Sequence, residues 1–179
     1  MGQDSGELSE LLERGPLVLV ESDAVGRFAS ATAIVEIARP ADAVWRVTSD
    51  FAGHRTFMPK LVASTPTPRG PNEVDVRFEI AIPFPGRNER YTFRYVLDPA
   101  RREIHGRWVA GDLRDSTCDW RILAAGDARA RVHYTIATRN FSKLVTTFED
   151  SQQTVTVGVN VASALAAIKA LKARVETGP

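Results

Sequence analysis

The stretch IARPADAVWRVTSDFAGHRTFMPKL, Ile37 to Leu61, changes its hydrophobic period twice. It opens as the end of an apolar strand, and Pro40 then stands where a helix tolerates proline, in its first turn. Ala43, Val44, Val47 and Phe51 follow at helical spacing, with Asp50 near the end of that short helix. Phe51 to Pro59 reads as a second short helix or tight turn closed by Pro59. The expected order is strand, two short helices, strand.

Upstream, Leu17 to Glu21 and Phe28 to Ala38 are rich in β-branched residues around Asp23 to Gly26, which predicts a hairpin. In its second arm Ala33, Val35 and Ile37 face one way and Glu36 the other. Asp4 with Glu7 forms a capping box ahead of Leu8, Leu11 and Leu12, and Gly15-Pro16 ends that turn, so residues 1–16 are expected to form a short appended helix. A single domain is expected over 17–179.

Downstream, alternating segments predict an antiparallel meander: Leu61 to Pro68, Glu73 to Ile82, Glu89 to Leu97, Glu103 to Val109, Ser116 to Ala124 and Arg131 to Arg139. From about Asp150 to Glu176 a long helix is expected, with Val157, Val161, Leu165, Ile168, Leu171 and Val175 on one stripe. Thr154 to Val161 alternates like a strand and contains Gly158, so a kink or a late start stays open there.

Counting by twos along the meander puts Val76, Phe78, Ile80, Tyr91, Phe93, Tyr95, Ile104, Trp108, Cys118, Trp120, Ile122, Val132, Tyr134 and Ile136 on one face. The other face receives Asp75, Arg77, Glu79, Thr92, Arg94, Glu103, His105, Arg107, Asp119, Arg121, Arg131 and His133. A packed core is the plain reading of the aromatic face. One long helix and two short ones are little cover for a curved sheet, however, and the Tyr and Trp tips want polar partners, which a ligand in a cavity supplies.

Lys plus Arg number 23 against 22 Asp plus Glu, and the net charge of +1 offers no bulk attraction to nucleic acid. Cys118 is the single cysteine, so neither an intrachain disulfide nor a cysteine-built metal site is expected. The polar, acidic start lacks signal-peptide features, and no uninterrupted apolar run approaches the ~20 residues of a membrane span, so a cytoplasmic protein without stable membrane insertion is expected.

Sequence signatures of nucleotide, phosphate, hydrolase and metalloprotease sites are absent, and no catalytic residue, metal or cofactor is assigned. His54, His105 and His133 fall in a helical turn and on the wet face, in exposed or capping roles. Asp115 and Asp119 read as outer-face strand residues and Asp112 as a turn residue. Arg69, Arg90 and Arg94 read as surface arginines. Gly86 serves a tight turn, with Phe84 beside it as a cap to the cavity mouth.

The order of elements, and the pattern Pro40, Val44-Trp45, Asp50-Phe51, Phe57-x-Pro59, resemble the opening of the polyketide cyclase/dehydrase, coenzyme Q-binding and START-like superfamily, with His54 where many members have Tyr. The ending Ala164 to Glu176 resembles its terminal helix. The resemblance implies an α+β helix-grip fold, a curved antiparallel sheet wrapped around a long C-terminal helix, with a deep pocket between them. It implies binding of an apolar molecule, a lipid, isoprenoid quinone or polyketide-like compound, lined by Phe57, Met58, Phe78, Ile80, Phe84, Tyr91, Phe93, Tyr95, Trp108, Trp120, Tyr134, Val155 and Val159. An aromatase/cyclase or dehydratase is the alternative, and a protein- or ribosome-associated interaction module the third reading.

Overall fold

A computed structural model describes residues 3–81, 88–138 and 152–178. An N-terminal helix α1 (Gln3–Arg14) leads into a hairpin of β1 (Leu17–Ser22) and β2 (Phe28–Ile37). Helix α2 (Ala41–Ser49) and a 3-10 turn (Gly53–Thr56) follow, as the Pro40 and Pro59 punctuation requires. The meander comprises β3 (Leu61–Gly70), β4 (Glu73–Ile80), β5 (Glu89–Asp98), β6 (Glu103–Gly111), β7 (Thr117–Ala124) and β8 (Ala130–Ala137). The long helix α3 (Gln152–Thr177) closes the chain and is continuous through Gly158.

The strands form one antiparallel sheet in the order β1-β2-β8-β7-β6-β5-β4-β3. The crossover from β2 to β3 carries α2 and the 3-10 turn from one part of the sheet to its far edge, and β8 returns to pair with β2. This is the expected α+β helix-grip architecture.

The two-residue period is realised as read. Val76, Phe78, Phe93, Tyr95, Ile104, Cys118, Trp120, Ile122 and Val132 are buried in one cluster with Ile37, Val44 and the α3 residues Ala164, Ile168, Leu171 and Val175. Each fully buried Ile or Leu contributes about 2 kcal/mol by leaving water. A one-residue bulge opposite Thr92/Phe93 falls after Trp108 on β6, so Trp108 keeps its inward parity.

Three positions depart from the expectation. Asp75 belongs to the outer face yet is buried, because Arg94 Nε donates to it at 2.7 Å and Arg69 Nε at 2.6 Å, closing over the carboxylate. The hydrogen bonds from Arg94 and Arg69 hold its carboxyl down at about 2, so the group stays charged under its cover. Asp115 sits in the turn between β6 and β7 with φ 59°, not in a strand. On α3, the buried line from Ile168 back toward the N-terminus runs through Ala164 and Asn160, while Val157, Val161 and Leu165 are only half-buried.

By length and apolarity α3 is the one described helix that meets the requirements of a membrane span, over Gln153–Thr177. Here it lies along the sheet, with Ile168 and Leu171 fully buried. At its end Lys172 Nζ donates to Glu36 O and the Glu176 carboxylate accepts the Ala38 N–H, which occupies the part of the β2 edge that β1 leaves uncovered.

Candidate functional site

On the inner face Val76, Ile104, Ile122 and Val132 are completely enclosed; toward one end Ile80, Tyr91, Trp108, Tyr134 and Ile136 are partly accessible, and toward the other Val74 and Leu97 are. The first of these ends carries the aromatic residues. Phe51 stacks on Tyr95 at 4.5 Å between ring centroids, Trp120 on Tyr134 at 4.0 Å, and Phe78, Tyr91 and Phe93 meet one another through edge and tilted contacts.

Of the expected lining residues, Phe78, Phe93, Tyr95 and Trp120 are buried in the cluster. Phe57, Met58, Tyr91, Trp108 and Tyr134 are partly buried against it. Ile80, Val155 and Val159 are half-exposed. At 100° per residue Val155 and Val159 fall on the side of the helix away from the line set by Asn160 and Ala164, and Thr156 and Val157 flank that line. Phe84 and Gly86 lie outside the described residues.

The polar tips divide into spent and unspent groups. Trp108 Nε1 donates to Asp112 O at 3.0 Å, and the Tyr95 hydroxyl meets Cys118 Sγ at 3.3 Å. The Tyr91 and Tyr134 hydroxyls have no hydrogen-bond partner among the described residues, and both side chains keep part of their surface accessible. Burial drives both phenols well above their ordinary 10, and pushes the Cys118 thiol up to about 12. These groups are protonated donors at neutral pH. Most of the described charged strand residues project from the opposite face, where Arg90 pairs with Glu79 and Arg94 with Asp75; Glu89, across from Ile80 at the start of β5, shares the inner face and adds to the rise at Tyr91.

His54 is buried rather than exposed. Its Nε2–H donates to Thr48 O at 2.9 Å, capping the C-terminal end of α2, while its ring edges meet Phe51 and Phe57. Burial lowers its pKa from 6.5. His133 is half-buried on the outer face, its Nε2 is enclosed without a partner, and burial with Arg121 and Arg131 lowers its pKa as well. His105 keeps the exposed role expected of it, beside Asp119 at 2.9 Å. Among the described residues no group of His, Cys, Asp and Glu is arranged to hold a metal ion.

Both lowered imidazoles are neutral in the fold and bind protons more readily once unfolded. Stability is therefore full above about pH 6.5 and declines as pH falls below it toward the folded-state values. Thermal melts should show a lower midpoint at about pH 5 than at about pH 7.5, and His54→Gln should flatten that drop. A midpoint independent of pH over this range would contradict the assignment.

Asn160 is the residue that the sequence did not advertise. It is 1% exposed on α3, its Oδ1 accepts the Thr138 N–H at 2.9 Å, and its Nδ2 donates to Thr138 O and Thr156 O, each at 2.8 Å. One side-chain amide thus takes both backbone groups of the residue that follows β8, as a neighbouring strand would. A separate groove of about 530 Å³ lies away from the aromatic face, between α1, the end of β2 and the end of α3. Its charged walls are tied to one another, Lys172 to Glu176 at 2.6 Å and Arg129 to Glu36 at 3.8 Å.

The sequence matches the family described as polyketide cyclase / dehydrase and lipid transport over residues 37–163, more than half of the chain. The chain belongs to that family. Among curated proteins no sequence matches it. Solved structures share the fold of this polyketide cyclase family member. The Zhui aromatase/cyclase from Streptomyces sp. R1128 aligns with a TM-score of 0.71 and 23% identity over 83% of this chain and 93% of that one. A STAR-related lipid transfer protein from Xanthomonas axonopodis gives 0.70 and 17% over 90% and 93%. Norcoclaurine synthase from Thalictrum flavum, in complex with dopamine and hydroxybenzaldehyde, gives 0.56 and 14% over 94% and 92%. At these identities the likeness is one of fold. Family membership supports a role in hydrophobic-ligand binding or polyketide-cyclase-like chemistry.

Proposed function

We propose that the chain binds a neutral, largely apolar small molecule bearing a carbonyl or hydroxyl oxygen, such as a quinone, polyketone or lipid, between the aromatic face and α3. The observation that carries this reading is the state of Tyr91 and Tyr134. Surrounding protein desolvates both phenols, yet each keeps accessible surface and a hydroxyl unpartnered among the described residues. Side chains in that state border a space the protein encloses without filling, and the two hydroxyls are donors to an acceptor oxygen within it.

The same donors would polarise the carbonyl of a polyketone, which makes aromatase/cyclase or dehydratase chemistry the second reading. Phenols and a thiol held protonated by burial are poor general bases at neutral pH, so Tyr91, Tyr134 and Cys118 favour binding over proton abstraction.

Native mass spectrometry of the protein purified from its own host, followed by denaturing extraction, tests the binding reading directly. A retained neutral apolar compound is expected. In reconstituted protein, Tyr134→Phe should weaken a naphthoquinone by about fivefold and leave naphthalene unchanged. Equal effects on both compounds, or no saturable binding of either, would overturn it.

A further inference from the structure

Helix α3 is two different helices joined at Asn160. From Asn160 onward a buried residue recurs every three or four positions: Asn160, Ala164, Ile168, Leu171 and Val175. Between Gln153 and Val159 no residue is buried. The composition changes at the same boundary. Thr154, Val155, Thr156, Val157, Val159 and Val161 are β-branched and surround Gly158, whereas the following turns are dominated by Ala, Leu and Lys. Branching at Cβ and a missing side chain both weaken a helix relative to alanine. Packing does not demand the glycine, because a Cβ built at Gly158 meets nothing within 4 Å.

Among the described residues, side-chain hydrogen bonds to the sheet hold the weak part at its two ends. At its start Gln153 Nε2 donates to Gly26 O in the β1–β2 turn, an exposed bond of 2.9 Å. At its end stands the buried Asn160–Thr138 amide pair. One end is easily released and the other is not. The segment meets the packed half of α3 at the end of the sheet where Tyr134 and Ile136 become accessible, as the link from Asn160 to Thr138 at the end of β8 requires.

We propose that the first two turns of α3, Gln152 to Val159, open as a flap that pivots at Asn160, and that this opening is how the ligand reaches the aromatic face. The proposal rests on the ligand-binding reading above. Its structural logic is a division of labour within one helix: the C-terminal half is locked into the core, and the N-terminal half is stable only to a small local opening. Gly158 sets how often the flap opens, and Asn160 confines the opening to one side.

Stopped-flow fluorescence with phenylnaphthylamine and hydrogen exchange without any probe test this together. Gly158→Ala should reduce the open population about fivefold, slow association and dissociation by similar factors, and leave the equilibrium constant nearly unchanged. Ala166→Gly, a change of the same size on the exposed side of the packed half, should leave both rates as they are. In the unaltered protein the amides of 156–159 should exchange faster than those of 164–175, and Gly158→Ala should protect them. Binding whose rates ignore Gly158→Ala, or uniform exchange along α3, would overturn the flap while leaving the ligand-binding reading intact. Absence of any probe binding would overturn both.

Discussion

Gly106→Val is expected to destabilise the fold by roughly 3 to 5 kcal/mol, among the largest losses available to a single substitution in this chain. Gly106 is buried in the middle of β6, on a rung that runs Tyr95, Gly106, Cys118, Ile136 across four strands. A Cβ there would overlap the Tyr95 ring, and it would lie 2.8 Å from Cys118 Sγ and 2.9 Å from the Cys118 carbonyl. The carbonyl belongs to the paired backbone of β7 and cannot retreat without breaking the ladder. The vacancy has a use: it lets the Tyr95 ring lean across β6 so that its hydroxyl meets Cys118 Sγ. Gly106→Ala should therefore displace Tyr95 as well as destabilise. Denaturant unfolding of Gly106→Ala, Tyr95→Ala and the double variant gives the check: Tyr95→Ala should cost less in the Gly106→Ala background than in the unaltered protein. Additive costs would show that the ring and the glycine do not depend on each other.

Which residues face inward was legible because an antiparallel sheet with one wet side writes its geometry into every second position. The β6 bulge did not spoil the count for Trp108, since the extra residue comes after it. What the alternation cannot report is how two strands share a polar group. Asp75 reads as a wet carboxylate, and its burial is set by Arg69 on β3 and Arg94 on β5. His54 and Gly106 are similar cases, defined by the Thr48 carbonyl and by Tyr95 with Cys118. On α3 the apolar stripe read from the sequence runs through Val157, Val161 and Leu165, which are half-buried, while the buried line passes through a polar residue, Asn160. An asparagine within a helix reads as solvent-facing until its strand partner is known.

Asn160→Leu should be the second severe substitution, at about 3 kcal/mol, because it keeps the volume and deletes three hydrogen bonds at once. The Thr138 N–H and C=O would remain enclosed beside an apolar side chain, and the desolvation of two backbone groups accounts for most of the loss. For a chain of this size that is a fall of about 10 °C in the melting midpoint. Asn160→Asp separates the terms, since it retains an acceptor for the Thr138 N–H but sets a carboxylate against two carbonyl oxygens in a buried site. It should be at least as damaging as Leu near neutral pH and should recover partly as acid protonates it, against the general acid destabilisation expected from His54 and His133. Calorimetry of the three proteins across pH measures this directly. The Leu and Asp variants showing equal loss at every pH would mean that volume, not the amide pairing, is what the position supplies. Recovery of the Asp variant alone would establish that the grip of α3 on the sheet depends on a side-chain amide acting as a missing strand, placed where the packed half of the helix gives way to its half-exposed first turns.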